Sequence, residues 1–209
     1  MREALPVTPR FESRDLARIA VFAALIAALG LVPAVYPYGA TVPITAQTLG
    51  VMLAGAVLGP WRGAAAVLVF EILVLVGLPL LAGGRGGPGV FVGPSVGYLV
   101  GWIVGAFVIG LIAFPRSGKP SWWRVALGGV IGGVVVVHAF GIPVMAVIRG
   151  ITIQDAALFD AFFIPGDLIK VVLTVVIVLA LGRAYPAAFG RPPAVTAAAD
   201  PTLTEARDA

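Results

Sequence analysis

Long apolar segments recur six times along this 209-residue chain, and they limit its possible folds more than any other feature. A bilayer core is about 30 Å thick, so a transmembrane helix needs about 17–25 mostly apolar residues. Only 11% of the residues are charged, whereas a soluble domain has about 25%. The sequence therefore predicts an all-α membrane protein that contacts the lipid bilayer through six transmembrane helices, near residues 16–35, 46–59, 63–81, 94–114, 124–147 and 165–182.

Lys and Arg residues are distributed unevenly between the predicted loops. Only Arg85 and Arg149 lie in one set of loops, whereas nine basic residues lie on the opposite side. Because short cytoplasmic loops are enriched in Lys and Arg, both termini are predicted to be cytoplasmic. The expected organisation is a cytoplasmic N-terminal segment (1–15), a six-helix membrane domain (16–182) and a disordered cytoplasmic tail (183–209). The nine residues are Arg10, Arg14, Arg18, Arg62, Arg116, Lys119, Arg124, Arg183 and Arg191.

The sequence contains no enzyme signature. The stretch GRGGPG at 84–89 matches a dinucleotide-binding pattern, but it follows a membrane helix rather than a strand. The stretch SGKPS at 117–121 lacks the upstream Gly and the Ser/Thr of a P-loop. Cys is absent and there is one His, so no catalytic residue, metal site or cofactor is predicted. The small net charge of +4 also argues against nucleic-acid binding.

Four ionisable residues fall inside predicted membrane segments: Glu71, His138, Asp167 and Lys170. Each needs an explanation, because a charge at the bilayer centre costs about 2.5–3.5 kcal/mol on insertion scales. Asp167 and Lys170 are three residues apart and share one helix face at the outer end of the last segment. One interpretation is a helix start, where the dipole favours Asp167. The other is a ligand site that offers an acceptor beside a donor, which suits a cyclic urea or amide.

Other polar and aromatic residues lie near the same outer side. Gln47 and Thr48 begin the second segment, where they either cap the helix or line a pocket. Arg85 lies in a Gly-rich loop, as a solvated charge or, with backbone N–H groups such as that of Gly86, as a holder of a ligand carboxylate. Tyr98, four residues before Trp102, either anchors the fourth helix or forms an apolar wall for a ring.

Glu71 and His138 lie in the middle of their segments. They either pair with each other inside the bundle or relay protons. The second possibility defines an alternative function, a self-sufficient secondary transporter that couples proton movement to uptake.

The first segment carries small residues at helical spacing. Ala20, Ala24 and Ala28 form one stripe, and Ala23 and Ala27 form a neighbouring one. Such stripes let another helix approach closely, either within the bundle or from a partner protein.

Four stretches, taken together and in order, carry a family resemblance. They are VPITAQTLGVMLAGAVLGPWRG (42–63), GLPLLAGGRGG (77–87), GPSVGYLVGW (93–102) and FFIPGDLIK (162–170). They resemble the biotin transporter family BioY, whose members are substrate-binding (S) components of energy-coupling-factor transporters. The resemblance implies six helices with both termini inside and capture of biotin from outside a prokaryotic cell membrane. It also implies partnership with a transmembrane coupling protein and two ATPases.

The resemblance also implies roles for individual residues. Asp167 and Lys170 would meet the ureido ring of biotin, and Arg85 with its Gly-rich loop would lie near the valerate carboxylate. Gln47 and Tyr98 would line the pocket. The alanine stripe of the first segment is similar to the AxxxA element with which S components contact the coupling protein.

The chain departs from the family pattern in two places. Glu71 stands where an apolar residue is expected, and its role is open. Ser95 and Val96 stand where family members often have Thr-Gly, which alters the expected pocket wall slightly.

Overall fold

The chain is described by a computed structural model over residues 12–36, 42–115 and 119–189. Within these ranges it forms seven α-helices and no strand longer than an isolated bridge. The middle of the fifth helix, Gly129–Val136, widens to π-type turns without breaking the helix. The helices are α1 (Ser13–Leu29), α2 (Gln47–Leu58), α3 (Pro60–Leu75), α4 (Val96–Ala113), α5 (Trp122–Arg149), α6 (Ile153–Asp160) and α7 (Ile164–Ala184).

Helices α4, α5 and α7 are each long and apolar enough to cross a membrane by themselves. The shorter α2 is also apolar, and α1 and α3 have 17 and 16 residues. One side of α7 exposes a continuous row of large apolar side chains, a surface that suits lipid rather than water. The prediction of an all-α membrane protein is confirmed. This row comprises Leu168, Ile169, Val172, Leu173, Val176 and Ile177.

Several predicted boundaries differ from the structure. Helix α3 begins at Pro60 and ends at Leu75, well before 81, because Gly77 takes a left-handed φ of 108° that a helix cannot continue. Helix α1 ends at Leu29 rather than near 35. The predicted tail boundary at 183 falls inside packed structure, since α7 continues to Ala184 and Phe189 is buried. Residues 1–11 and 190–209 lie outside the described ranges.

The short helix α6 was not predicted. It has only eight residues, too few to show a clear apolar period between two membrane segments. Its start carries an ordinary cap, in which the Thr152 side chain accepts a hydrogen bond from the backbone N–H of Asp155 at 3.1 Å. Its last residue, Asp160, is buried. Helix α6 therefore connects the ends of α5 and α7 and directs one acidic residue into the bundle.

Helix α4 is the centre of the bundle and packs against α2, α3 and α5. Its contact with α5 depends on a glycine row, Gly97, Gly101 and Gly105. A Cβ added at Gly97 would lie 2.5 Å from the carbonyl oxygen of Phe140, and one at Gly105 would lie 2.6 Å from that of Gly132. Small residues at a four-residue spacing let two membrane helices meet backbone to backbone. This row fixes the positions of the α4 and α5 side chains relative to each other.

Candidate ligand-binding pocket

A pocket opens at the end of the bundle where α2, α4 and α7 begin. Its empty volume is about 520 Å³, counted out to its open mouth. Of the seven residues predicted to bind a ligand, the structure brings six together around it: Gln47, Thr48, Arg85, Tyr98, Asp167 and Lys170. The remaining lining residues are Val42, Pro43, Thr45, Leu81, Ser95, Leu99, Trp102, Val137, His138 and Phe163.

Asp167 and Lys170 form a buried ion pair in this pocket. The Lys170 Nζ donates to Asp167 Oδ1 and to Thr48 Oγ1, both at 2.8 Å. The Asp167 side chain is 4% exposed and that of Lys170 is 12% exposed. Among the described residues, no side chain caps the start of α7. The contacts place both charges in the lining of the pocket, and they add Thr48 as a direct partner of the ammonium.

The second oxygen of Asp167 contacts His138. The distance from His138 Nε2 to Asp167 Oδ2 is 2.9 Å, and His138 Nδ1 lies 2.6 Å from Asp160 Oδ2. Both ring nitrogens of the only histidine thus face carboxylates. Of the two possibilities raised for His138, pairing with Glu71 is wrong, because α6 and α7 supply its hydrogen-bonding partners.

Aromatic rings form one wall of the pocket. The Tyr98 and Phe163 rings stack with centroids 5.8 Å apart at an angle of 15°, and His138 lies edge-on to both. The Tyr98 hydroxyl donates to Asp160 Oδ1 at 2.7 Å. The expectation of a wall that could accept a flat ring agrees with this geometry, and Trp102 contributes to the same lining.

Gln47 lines the pocket, but its amide is engaged by the backbone. Its Nε2 donates to the carbonyl oxygens of Ile26 at 3.2 Å and Leu80 at 3.1 Å. Its Oε1 accepts from the backbone N–H of Ala82 at 3.0 Å. With both amide protons used, Gln47 holds the α3–α4 loop against α1 and α2, and it shapes the pocket more than it offers donors to a ligand.

Arg85 reaches the pocket from the α3–α4 loop, where Leu81 and Arg85 form a small antiparallel bridge. Its Nη1 donates to Ser95 Oγ at 3.4 Å and its Nε to the Ala82 carbonyl at 3.3 Å. Gly86 is not part of the lining within the described ranges. A Cβ there would lie 2.2 Å from the carbonyl oxygen of Leu78, so Gly86 serves the close packing of the loop.

Glu71 lies apart from this pocket. It is 6% exposed in α3, and its Oε1 has no hydrogen-bonding partner among the described residues. The structure therefore does not connect Glu71 to His138, and no hydrogen-bonded path for a proton joins them in the part of the chain that is described.

The two alanine stripes of α1 have different surroundings. Ala20, Ala24 and Ala28 are exposed, whereas Ala23 is 3% exposed and Ala27 packs partly buried against the core. The first stripe is available to another protein, and the second belongs to the internal packing of the bundle.

Sequence reasoning missed Asp160 and Phe163 and gave His138 the wrong neighbours. One signal was present, since Asp160 is the acidic residue in AALFDA (156–161), an otherwise apolar run directly before FFIPGDLIK. Its partner could not be read from spacing, because His138 lies 22 residues earlier on a different helix.

A comparison with known protein families identifies the family of this chain. The family model described as BioY matches residues 2–187, nearly the whole chain. The chain belongs to the BioY family. The resemblance seen in the four sequence stretches is thereby confirmed.

Relatives in the BioY family are close in sequence and length. The biotin transporter BioY of Rhodobacter capsulatus is 48% identical over 184 residues, covering 84% of this chain and 96% of the relative. That of Thermotoga maritima is 36% identical over 170 residues, covering 81% and 96%. Because these relatives are named as transporters, the prediction that the chain is not an enzyme is confirmed.

The BioY fold is also similar to a solved structure. A crystal structure of the S-component for biotin from an ECF-type ABC transporter matches with a TM-score of 0.75 and 34% sequence identity. The match covers 83% of this chain and 95% of that chain. The fold of the chain is therefore that of a transporter S-component.

Proposed function

We propose that this chain is the S component of an energy-coupling-factor transporter and that it captures biotin in the pocket between α2, α4, α5 and α7. The observation that carries this proposal is the buried Asp167–Lys170 pair among the lining residues. A carboxylate beside an ammonium complements a ureido group, which presents N–H beside C=O. The names of the matched relatives, which are biotin transporters, support the same ligand.

The pose follows from the chemistry of each lining residue. Lys170 donates to the ureido oxygen and Asp167 accepts from a ureido N–H. The stacked rings of Tyr98 and Phe163 supply an apolar face for the fused rings. Arg85, which is held by only long hydrogen bonds of 3.3–3.4 Å, is available to pair with the valerate carboxylate.

We infer that six helices cross the membrane, namely α1, α2, α3, α4, α5 and α7, with both termini in the cytoplasm of a prokaryotic cell. Exposed Trp61, Trp122 and Trp123 lie at the end opposite the pocket. They suit the aromatic belt of the cytoplasmic interface. In this orientation the pocket opens outward, and α6 lies at the outer surface.

Energy for uptake comes from partners. The sequence has no complete P-loop, and the proposed assembly supplies ATP hydrolysis through two ATPase subunits and a transmembrane coupling protein. The exposed stripe of Ala20, Ala24 and Ala28 is the proposed contact with that coupling protein, because small residues let a partner helix approach closely.

The test is calorimetric titration of biotin into the detergent-purified chain, with riboflavin and thiamine as controls. Tight, saturable binding of biotin alone is expected. A folded protein that binds none of the three vitamins would refute the proposal. Uptake that persists without ATP and collapses with a protonophore would instead indicate the secondary transporter.

A further inference from the structure

We propose that Asp160 and His138 are positioning residues of the ligand site, and that a positively charged His138 bridges the two carboxylates. In this arrangement His138 holds the Asp167 carboxylate in the orientation in which it accepts from the ligand. The positioning role toward biotin rests on the proposed function, but the positive charge of His138 does not.

The evidence is a continuous chain of short contacts across four helices, α4, α5, α6 and α7. Lys170 contacts Asp167, Asp167 contacts His138, and His138 contacts Asp160, at 2.8, 2.9 and 2.6 Å. Tyr98 closes the chain with its 2.7 Å hydrogen bond to Asp160. Asp160, Asp167, His138 and Tyr98 are all at most 6% exposed, so these contacts are largely shielded from bulk water.

The hydrogen-bonding chemistry of these groups then determines how many protons the His138 ring carries. An ionised carboxylate only accepts hydrogen bonds, and a neutral imidazole donates from one nitrogen only. Two carboxylates, one on each ring nitrogen, are both satisfied when His138 carries a proton on each nitrogen. The Tyr98 hydroxyl donates to the remaining oxygen of Asp160, which suits an anion there.

Charge balance supports a positively charged His138. Two carboxylates, one imidazolium and one ammonium sum to zero, so the buried group carries no net charge. Buried charges in proteins are paired for this reason, since an uncompensated one costs several kcal/mol. Without the charge on His138, this group of four would hold two carboxylates and only one positive charge, that of Lys170, which contacts Asp167.

Asp160 acts through His138 rather than on the ligand. It is not among the residues that line the pocket, whereas His138, Asp167 and Lys170 are. It is the last residue of α6. Asp160 therefore links the outer helix α6, through His138, to Asp167, which accepts from the ligand in the proposed pose.

The first test uses affinity. Asp160→Asn should weaken biotin binding about tenfold to a hundredfold, because the proton on His138 Nδ1 loses its charged acceptor and Asp167 loses its bridge. Asp155→Asn is the matched control, because Asp155 is an exposed acid of the same helix whose side chain, among the described residues, hydrogen-bonds with Thr152 alone. It should bind biotin as the wild type does. The Asp160→Asn effect should shrink when Asp167 is already Asn, since the two act through one path.

The second test detects the protons on the two ring nitrogens of His138 directly. His138 is the only histidine of the chain. Selective ¹⁵N labelling of histidine, in protein purified without a histidine tag, therefore gives imidazole signals from one residue. At pH 7 both nitrogens should carry a proton in the wild type, and Asp160→Asn should remove one of them.

Each outcome of the two tests bears on a different part of the proposal. A neutral His138 in the wild type, with one protonated nitrogen, would overturn the charge assignment even if Asp160→Asn failed to fold. Equal biotin affinity of folded Asp160→Asn and wild type would overturn the positioning role. If biotin does not bind the wild type, the proposed function fails, and the nitrogen signals still test the bridge.

Discussion

Lys170→Met isolates the contribution of the buried ammonium to ligand binding. Met keeps most of the length and apolar contact of the Lys stem but cannot donate a hydrogen bond. In the proposed pose the ammonium donates to the ureido oxygen, and a hydrogen bond to a charged group contributes about 1.5–3 kcal/mol. Since each 1.4 kcal/mol is about a factor of ten, biotin should bind roughly 10- to 150-fold more weakly.

The same substitution should also lower stability in the absence of biotin. Three side chains contact Asp167, which is 4% exposed: Lys170, His138 and Thr48, whose Oγ1 donates to Asp167 Oδ1 at 3.4 Å. Breaking a buried ion pair costs about 3–5 kcal/mol when the remaining charge is left alone. Because His138 and Thr48 remain beside Asp167, the loss should fall below that range, as measured by thermal unfolding.

Arg62→Met is the control for ion-pair loss in general. Arg62 pairs with buried Asp15 at 2.9 Å at the opposite end of the bundle, far from the pocket. Calorimetry should show wild-type affinity for Arg62→Met and weakened affinity for Lys170→Met. If Lys170→Met keeps an affinity within twofold of wild type, or if Arg62→Met weakens binding equally, Lys170 does not contact the ligand.

Three further predictions concern other parts of the bundle. Ala24→Trp should weaken co-purification with the coupling protein while biotin still binds, whereas Ala23→Trp should lower the unfolding temperature, because Ala23 is buried in the bundle. Gln47→Leu should destabilise the protein by about 1–3 kcal/mol in thermal unfolding, because the backbone N–H of Ala82 loses its acceptor. Glu71→Gln should leave ATP-driven biotin uptake in vesicles unchanged, and a loss of uptake would indicate a proton-relay role.

The sequence predicted the membrane segments well where apolar length decides the structure. Helices α2, α4, α5 and α7 begin and end within two residues of their predicted ranges. Helix α3 differs more because its C-terminal residues remain apolar after the helix has ended, and hydropathy does not detect a left-handed glycine. Residues 76–81 therefore look like membrane helix in the sequence, although they form part of the loop that Gln47 holds.

The sequence predicted most residues of the candidate site, but it predicted few of the hydrogen bonds between them. Asp167 and Lys170 lie three residues apart on one helix, so helical geometry alone brings them together. The contacts to Thr48, His138 and Asp160 join different helices, and no local period encodes them. Gln47 was expected to line the pocket and does so, but its amide is held by backbone groups of other segments. Gly86 was expected at the ligand carboxylate but is not among the described lining residues, and only tertiary structure reveals both facts.

The glycines of α4 and α5 explain how the polar cluster can exist inside a membrane bundle. Gly141 on α5 lies against the ring of Tyr98, where an added Cβ would be only 2.2 Å from the ring. His138 is three residues before Gly141 and therefore shares its helix face. The close approach of the two helices thus places the Tyr98 hydroxyl and His138 Nδ1 on the same carboxylate of Asp160, at 2.7 and 2.6 Å. Buried polar networks need every member satisfied, and here the glycines let the two helices approach so that both side chains reach one carboxylate. The small residues that pack the bundle therefore also set the geometry of its ligand site.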